Sequence, residues 1–370
     1  MQTSKFGPIL VLFLLGSALF SQTDSGTKPP GDSSGEKMAE DVYKDIKVFK
    51  GFPAGQIMPA MQFMNDALGV GCNHCHLKDT YEANNANKEL ARTMIRMQFD
   101  LNKTVFGGGR AITCYSCHRN EIEPPTLPPV GEIKQRTPEE APATAVLPVD
   151  AVLQKYLEAI GGAAVVSRIS SRVEKGTISF GETHSPIDVY CKAPNKRMSD
   201  VHSAEGDSIT AYDGRAGWLG GSKRAAQLMS PEENYAAGLD AQFAFPTNIK
   251  QAFLRLRPWR AEKIAGRDVN VLLGITTGRP DTKLYFDKET GLLTRMIRYA
   301  ETPLGRIITQ IDYSDYREQG GMKVPFRWSL ARPGAEFTVQ IDQVQQNVPI
   351  DDAKFAAPMT TAGNPEQRGH

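Results

Sequence analysis

The sequence predicts an α+β protein of two domains, mainly helical at its N-terminal end and antiparallel β behind. Three observations carry this expectation. Apolar residues recur every three or four positions up to about residue 105, prolines crowd the stretch 121–148, and beyond it apolar and polar residues alternate with period two. A chain of 370 residues with 40% hydrophobic content also exceeds what one compact core usually organises. Lys plus Arg number 43 against 42 Asp plus Glu, a balance that points to no nucleic-acid partner.

Taken in order, the chain opens with Lys5 before the apolar run Ile9 to Phe20, which ends in small and polar residues at Ser17, Ala18 and Ser21. That is the layout of a secretory signal peptide over 1–21, and the run is short for a membrane span, so an uncleaved anchor ranks second. Residues 22–37, rich in Ser, Gly, Asp and Pro, read as a flexible linker. A first domain is expected at 38–120. There Pro59 suits the first turn of a helix and Gly69 its end, with Ala60, Met61, Phe63, Met64 and Leu68 between them. Asn87 is a candidate cap for a second helix, on which Leu90, Met94, Met97, Leu101 and Val105 make one apolar stripe, closed by Gly107-Gly108-Gly109.

Pro124, Pro125, Pro128, Pro129, Pro138, Pro142 and Pro148 then make 121–148 a linker, because proline at that density excludes a packed helix or a central strand. The second domain, 149–358, begins with a helix whose Val152, Leu153, Tyr156, Leu157 and Ile160 share a face, ended by Gly161-Gly162. Strands follow. Ile187, Val189 and Cys191 alternate with Asp188, Tyr190 and Lys192, and Phe337, Val339 and Ile341 with Thr338, Gln340 and Asp342. Asp287 to Gly291 forms a turn between the runs Lys283–Phe286 and Leu292–Tyr299. Such alternation describes antiparallel strands with one wet face, and residues 359–370 read as a disordered tail.

Chemistry concentrates in two copies of one pattern, Cys72-Asn73-His74-Cys75-His76 and Cys114-Tyr115-Ser116-Cys117-His118, which hold four of the five cysteines. Two thiols one short turn apart can add across the two vinyl groups of a haem, and the adjoining histidine is then held under the iron. Each copy therefore predicts one covalently bound haem c: Cys72 and Cys75 with His76 as proximal iron ligand, and Cys114 and Cys117 with His118. Zinc would also use paired thiols, but 38 residues separate Cys75 from Cys114 against the roughly 15 to 20 of common ribbons, and zinc explains neither histidine. A thioredoxin-like pair would not be duplicated, and structural disulfides would not place a histidine after each second cysteine. His74 lies inside its motif and reads as a spacer. Cys191 reads as a buried free thiol.

A six-coordinate electron-transfer haem needs a further ligand opposite the histidine. Beyond His76 and His118 the histidines are His74, His184, His202 and His370, so methionine thioether is the better candidate. Spacing alone does not choose Met61 and Met94 over Met58, Met64 or Met97, and methionines on a helical stripe are often core filler.

The helix with Ala91-Arg92-Thr93-Met94, followed by Ile112-Thr113-Cys114-Tyr115-Ser116-Cys117-His118-Arg119, resembles the cytochrome c subunit of photosynthetic reaction centres. The run Met61-Gln62-Phe63-Met64 before Gly71-Cys72 is similar to a first such unit, so the resemblance covers roughly 45–125. It implies a mainly α multihaem cytochrome c domain, with Met61 and Met94 as sixth ligands of the first and second haem. The second domain, with Tyr285-Phe286-Asp287 to Gly291-Leu292-Leu293-Thr294-Arg295 near its centre, weakly resembles an antiparallel β half-barrel with packed helices, the LolA-like fold of lipoprotein carriers. That resemblance implies an apolar ligand, weighed equally with a docking or spacer role that binds nothing.

Three functions are consistent with the residues. The first is an exported, periplasmic electron carrier, not an enzyme, that passes single electrons between redox donor and acceptor proteins, a membrane-bound complex among the candidates. The second is a peroxidase-like redox enzyme with one open iron, disfavoured by the few spare histidines. The third is a lipid- or lipoprotein-binding protein whose haems sense redox state. In every case His76 and His118 are expected to donate their second ring N–H to a carbonyl or carboxylate.

Overall fold

The structure, a computed structural model, describes residues 37–78, 80–127, 147–260 and 262–358. The expected signal peptide, most of both linkers and the tail lie outside the described residues.

Four helices build the N-terminal domain: α1 (Ala39–Val42), α2 (Ile57–Leu68), α3 (Ala86–Val105) and α4 (Cys114–His118). Helix α2 starts two residues before Pro59, which sits in its first turn, and stops where Gly69 takes a left-handed conformation at φ 67°. A side chain at Gly69 would collide with the backbone carbonyl of Asn120, whose own N–H donates to Ala67 O at 2.8 Å. The end of the second Cys-x-x-Cys-His motif is thereby stitched onto the helix preceding the first.

The cap of α3 is Asn85, not Asn87: the Asn85 side chain accepts from the Lys88 N–H at 3.0 Å, the usual N-cap bond. Asn87 instead lies inside the first turn and donates to the His74 carbonyl at 2.7 Å, while Asn85 donates to that of Cys75 at 2.8 Å. Local sequence could not separate two asparagines two residues apart, because the choice depends on which carbonyls the preceding motif presents. Ala39, Phe49, Ile57, Ala60 and Ile95 form the core of this domain.

The C-terminal domain opens with α5 (Val149–Ala159) and α6 (Ala163–Val166). Its strands are β1 (Ser171–Phe180), β2 (Thr183–Lys192), β3 (Lys196–Ser203), β4 (Gly206–Tyr212), β5 (Gly217–Gly221), β6 (Arg224–Leu228), β7 (Arg255–Pro258), β8 (Glu262–Ile264), β9 (Arg267–Ile275), β10 (Thr282–Asp287), β11 (Leu293–Thr302), β12 (Gly305–Gln319), β13 (Met322–Arg332) and β14 (Ala335–Gln346), with α7 (Pro231–Ala244) between β6 and β7. They form one antiparallel sheet in the order β6-β5-β4-β3-β2-β1-β14-β13-β12-β11-β10-β9-β7, with β8 beside β9. The two ends do not meet, so the sheet is open rather than a closed barrel.

Period two places Ile187, Val189 and Cys191 on the buried face, with Val339 and Ile341 in the same core. The core is closed by α5 through Val152 and Tyr156, by Ile160 just after it, and by α7 through Leu239 and Ala244. Helix α7 carries a capping box, Ser230 and Glu233 each bonding the other's backbone N–H. Beneath it a cavity of about 450 Å³ is lined by Tyr156, Ile178, Phe337 and Val339, and by the ion pairs Arg172–Glu174 and Arg298–Asp240. Cys191 is a buried free thiol, pushed up to about 11 by burial.

The two domains share a core. The tip of the β11–β12 hairpin enters the helical domain, and Leu304 is fully buried with Phe49, Ile57, Ala60 and Ile95. Beside the hairpin tip Arg110 pairs with Glu301. The strand-to-strand turn at Gly334 meets the Asp66 carboxylate on α2.

Candidate functional site

Both Cys-x-x-Cys-His motifs fold as one short helical turn, which brings each histidine back under its first cysteine. In the first motif Cys72–His74 is a 3-10 turn, and the His76 N–H bonds to Cys72 O at 2.9 Å. In the second, α4 spans the motif itself, started by a capping box between Thr113 and Ser116 and ended by Arg119 in the left-handed region. All four motif cysteines are free.

The two histidines are held alike. The Nδ1–H of His76 donates to Tyr81 O at 3.0 Å and that of His118 to Glu121 O at 3.0 Å. A carbonyl only accepts, so each bond places the proton on Nδ1 and leaves Nε2 with its lone pair available, the arrangement a metal-ligating imidazole requires. The Tyr81 carbonyl also receives the Lys88 ammonium at 2.6 Å, and the Tyr81 ring lies against His76 with centroids 5.6 Å apart.

Each first cysteine of a motif touches a side-chain amide on the preceding helix. The Asn65 Nδ2 donates to Cys72 Sγ at 3.6 Å, and the Cys114 thiol donates to Gln98 Oε1 at 3.2 Å. Burial pushes the Cys114 thiol up to about 11 and also raises that of Cys75. These contacts align the helices as Met61-Gln62-Phe63-Met64-Asn65 and Met94-Ile95-Arg96-Met97-Gln98, a repeat of methionine, two residues, methionine and amide. Met61 and Met94 both stand four residues, one helical turn, before the amide that marks a thiol. The position equivalent to Met58 is Ala91 on α3, which has no sulfur. The repeat was open to sequence inspection, yet only contact with the cysteines gives the amides meaning.

The expected apolar stripe of α3 is uncovered. Leu90, Met94, Met97, Leu101 and Val105 are all exposed, whereas the adjoining face buries Arg92, Ile95, Gln98 and Asn102. A helix whose largely polar face is packed while its apolar face is bare, beside two free thiols and an imidazole with an open Nε2, has the surface a planar apolar group would cover. The residues present therefore fit a covalently held haem. On α2 Met61 is half-buried against the domain core and Met58 is exposed.

Among the described residues Asp200, His202 and Asp207 also have donor atoms close enough together for a metal ion, with His202 Nδ1 at 3.1 Å from Asp207. They lie on the outer face of β3 and β4, apart from both cysteine motifs.

Residues 19–178 match the model of the family described as photosynthetic reaction centre cytochrome C subunit. Among curated proteins, a photosynthetic reaction center cytochrome c subunit of Roseobacter denitrificans is 32% identical over 101 residues, 24% of this chain and 27% of that protein. The subunit of Thermochromatium tepidum is 27% identical over 104 residues, 26% of this chain and 25% of the relative. Cytochrome c-554 of Chloroflexus aurantiacus is 30% identical over 83 residues, 20% of each. The chain thus spans about a quarter of the length of the curated relatives it matches. Over residues 19–178 the chain is thus similar to the cytochrome c subunits of photosynthetic reaction centres. Solved structures similar to the C-terminal domain include a DUF1329 family protein of Desulfovibrio piger, with 14% identity, 56% of this chain and 97% of that one, and a TM-score of 0.41. A LolA superfamily protein of Nitrosomonas europaea has 15% identity, 57% and 98% coverage, and a TM-score of 0.40.

Proposed function

We propose that this chain is an exported two-haem cytochrome c that passes single electrons between protein partners. The observation that carries the reading is the duplicated site: each motif offers two free thiols and an imidazole whose Nδ1–H is already committed to a backbone carbonyl. Bound there, haem c would supply a one-electron couple whose potential depends on its axial ligands and on exposure.

The chain's own residues hold and tune that group. Cys72 with Cys75, and Cys114 with Cys117, provide the thioether sulfurs, and His76 and His118 the proximal nitrogens. Met61 and Met94 are assigned as the sixth ligands, on the strength of the repeat that sets each one turn before an amide touching a thiol. With Met61 and Met94 as well as His76 and His118 holding the two haems, neither would be left open to small molecules, and the role would be that of a carrier rather than of a peroxidase. The partners are a redox donor and a redox acceptor protein, and a membrane-bound complex is a natural one for an exported carrier. Among the described residues no helix is long and apolar enough to cross a membrane.

The cavity under α7 is where the apolar ligand implied by the resemblance to lipoprotein carriers would sit, a reading weighed equally with a docking or spacer role that binds nothing. Its wall is partly apolar, and its ion pairs Arg172–Glu174 and Arg298–Asp240 would favour a ligand with polar atoms as well.

Two measurements on protein matured in a host competent for haem attachment test the main reading. The intact mass is expected to carry two haem increments, and a mass with none overturns the proposal. A potentiometric titration with near-infrared spectroscopy is expected to show thioether ligation at both irons. Met94→Ala should lower one potential and let that iron bind cyanide; unchanged values would remove Met94 from its role.

A further inference from the structure

We propose that the tip of the β11–β12 hairpin, Thr302 to Gly305, is a positioning element of the second haem site, so that the C-terminal domain tunes one haem and not the other. The inference rests on the two-haem reading and adds to it a residue set from the opposite end of the chain.

Gln98 is the link. It is buried, at 4% exposure, and its amide faces two ways: Nε2 donates to Leu304 O at 3.0 Å and Oε1 accepts from the Cys114 thiol at 3.2 Å. Once that sulfur is a thioether it has no proton to give, and the Leu304 carbonyl alone then fixes the amide. The bond to Leu304 aims Oε1, the negative end of the amide dipole, at the attachment sulfur. Gln98 also stands at the border of the two faces of α3, between buried Ile95 and Asn102 and the bare stripe of Met94 and Leu101. Holding Gln98 therefore sets both a dipole beside the second haem and the direction in which α3 offers Met94.

The hairpin is built to hold still. Thr302 Oγ1 accepts from the N–H of Leu304 at 3.2 Å and of Gly305 at 3.1 Å, and donates to Gly305 O at 2.8 Å, so the turn is braced from inside. Gly305, at φ 153°, lies so near α2 and the second motif that a Cβ would come within 3.0 Å of Phe63 and 3.2 Å of Thr113. Arg110, on the loop leading into that motif, pairs with Glu301, which also receives Arg306 at 2.7 Å. The C-terminal domain also touches α2, at Phe63 and Asp66, but among the described residues it makes no hydrogen bond to the matching amide of the first motif. Asn65 touches Cys72 at 3.6 Å and makes no other side-chain hydrogen bond among the described residues.

The test is a potentiometric titration of full-length, haem-loaded protein in which both couples are resolved, run on Gln98→Leu, Leu304→Ala and Asn65→Leu. Gln98→Leu removes a dipole whose negative end favours the oxidised state and should raise one potential. Leu304→Ala should displace the potential of that same haem and leave the other in place, and Asn65→Leu should move only the other. If Leu304→Ala fails to accumulate, Thr302→Ala, which loosens the turn and keeps the leucine, takes its place with the same expectation. The proposal is overturned if the hairpin variant moves both potentials equally, or neither, or a different one from Gln98→Leu. A wild-type mass without two haem increments is a separate result and overturns the two-haem reading instead.

Discussion

Arg92 organises the N-terminal domain. Nearly buried on α3, it donates to Asn84 Oδ1, Glu89 Oε1 and Asp45 Oδ2 at 2.6 Å each, tying the helix to the segment before α2 and to the loop after the first motif. Burial alone would raise the Asp45 carboxyl, but the Arg92 hydrogen bond and charge outweigh it and hold it below the ordinary range. Asp45 thus contributes stability that is present above its ordinary value and is lost as pH falls through the lowered one. Arg92→Ala strands these acceptors and is expected to cost about 3 kcal/mol, read by chemical denaturation. Asp66 behaves in the opposite sense. It packs against the turn at Gly334, its Oδ2 is buried without a hydrogen-bond partner, and burial raises it from 3.8 to about 6. Its contribution is fully present below pH 3.8 and is lost as pH rises through 6. Asp66→Asn should therefore raise the melting temperature at pH 7 and leave it unchanged near pH 3; a gain at both pH values would show that the carboxyl does not titrate there.

Helix α3 shows how far periodicity reaches. Its spacing of Leu90, Met94, Met97, Leu101 and Val105 marked an apolar face correctly, yet that face is bare while the face with Arg92, Gln98 and Asn102 is packed. The physical reason is that an apolar stripe reports only that something apolar covers it, not that protein does. The consequence is measurable. Leu90→Gln with Leu101→Gln should cost the haem-loaded protein about 1.5 to 3 kcal/mol per side chain and cost little when Cys114→Ala and Cys117→Ala prevent attachment. Equal losses in both forms would mean that the stripe is covered by other means. In α7 the Ser-Pro-Glu-Glu start was open to sequence reading, and Ser230→Ala should cost about 1 kcal/mol of C-terminal domain stability in a thermal melt.

At the scale of the molecule, the β11–β12 hairpin joins the two domains through a shared core. Leu304 completes the core of a domain whose nearest described element in sequence ends far upstream, and its carbonyl bonds Gln98 across 206 residues. Full-length protein should accordingly melt in one calorimetric transition, and Leu304→Asp, which places a charge in that core, should split it in two; a single transition in the variant would mean that the domains couple by other contacts. The sequence by itself carried the argument for covalent haem attachment and determined the order of elements. Two thiols must stand a fixed distance apart to meet two vinyl groups, and periods of 3.6 and 2 are written along the chain. It also carried the family resemblance, which holds over the helical region. Only the tertiary structure decided that Asn85 rather than Asn87 caps α3, that Asn65 and Gln98 mark equivalent sites, and that a hairpin from the second domain lies beside the second motif. Those are contacts between segments remote in sequence, and local pattern, however regular, holds no information on which distant surface will cover it.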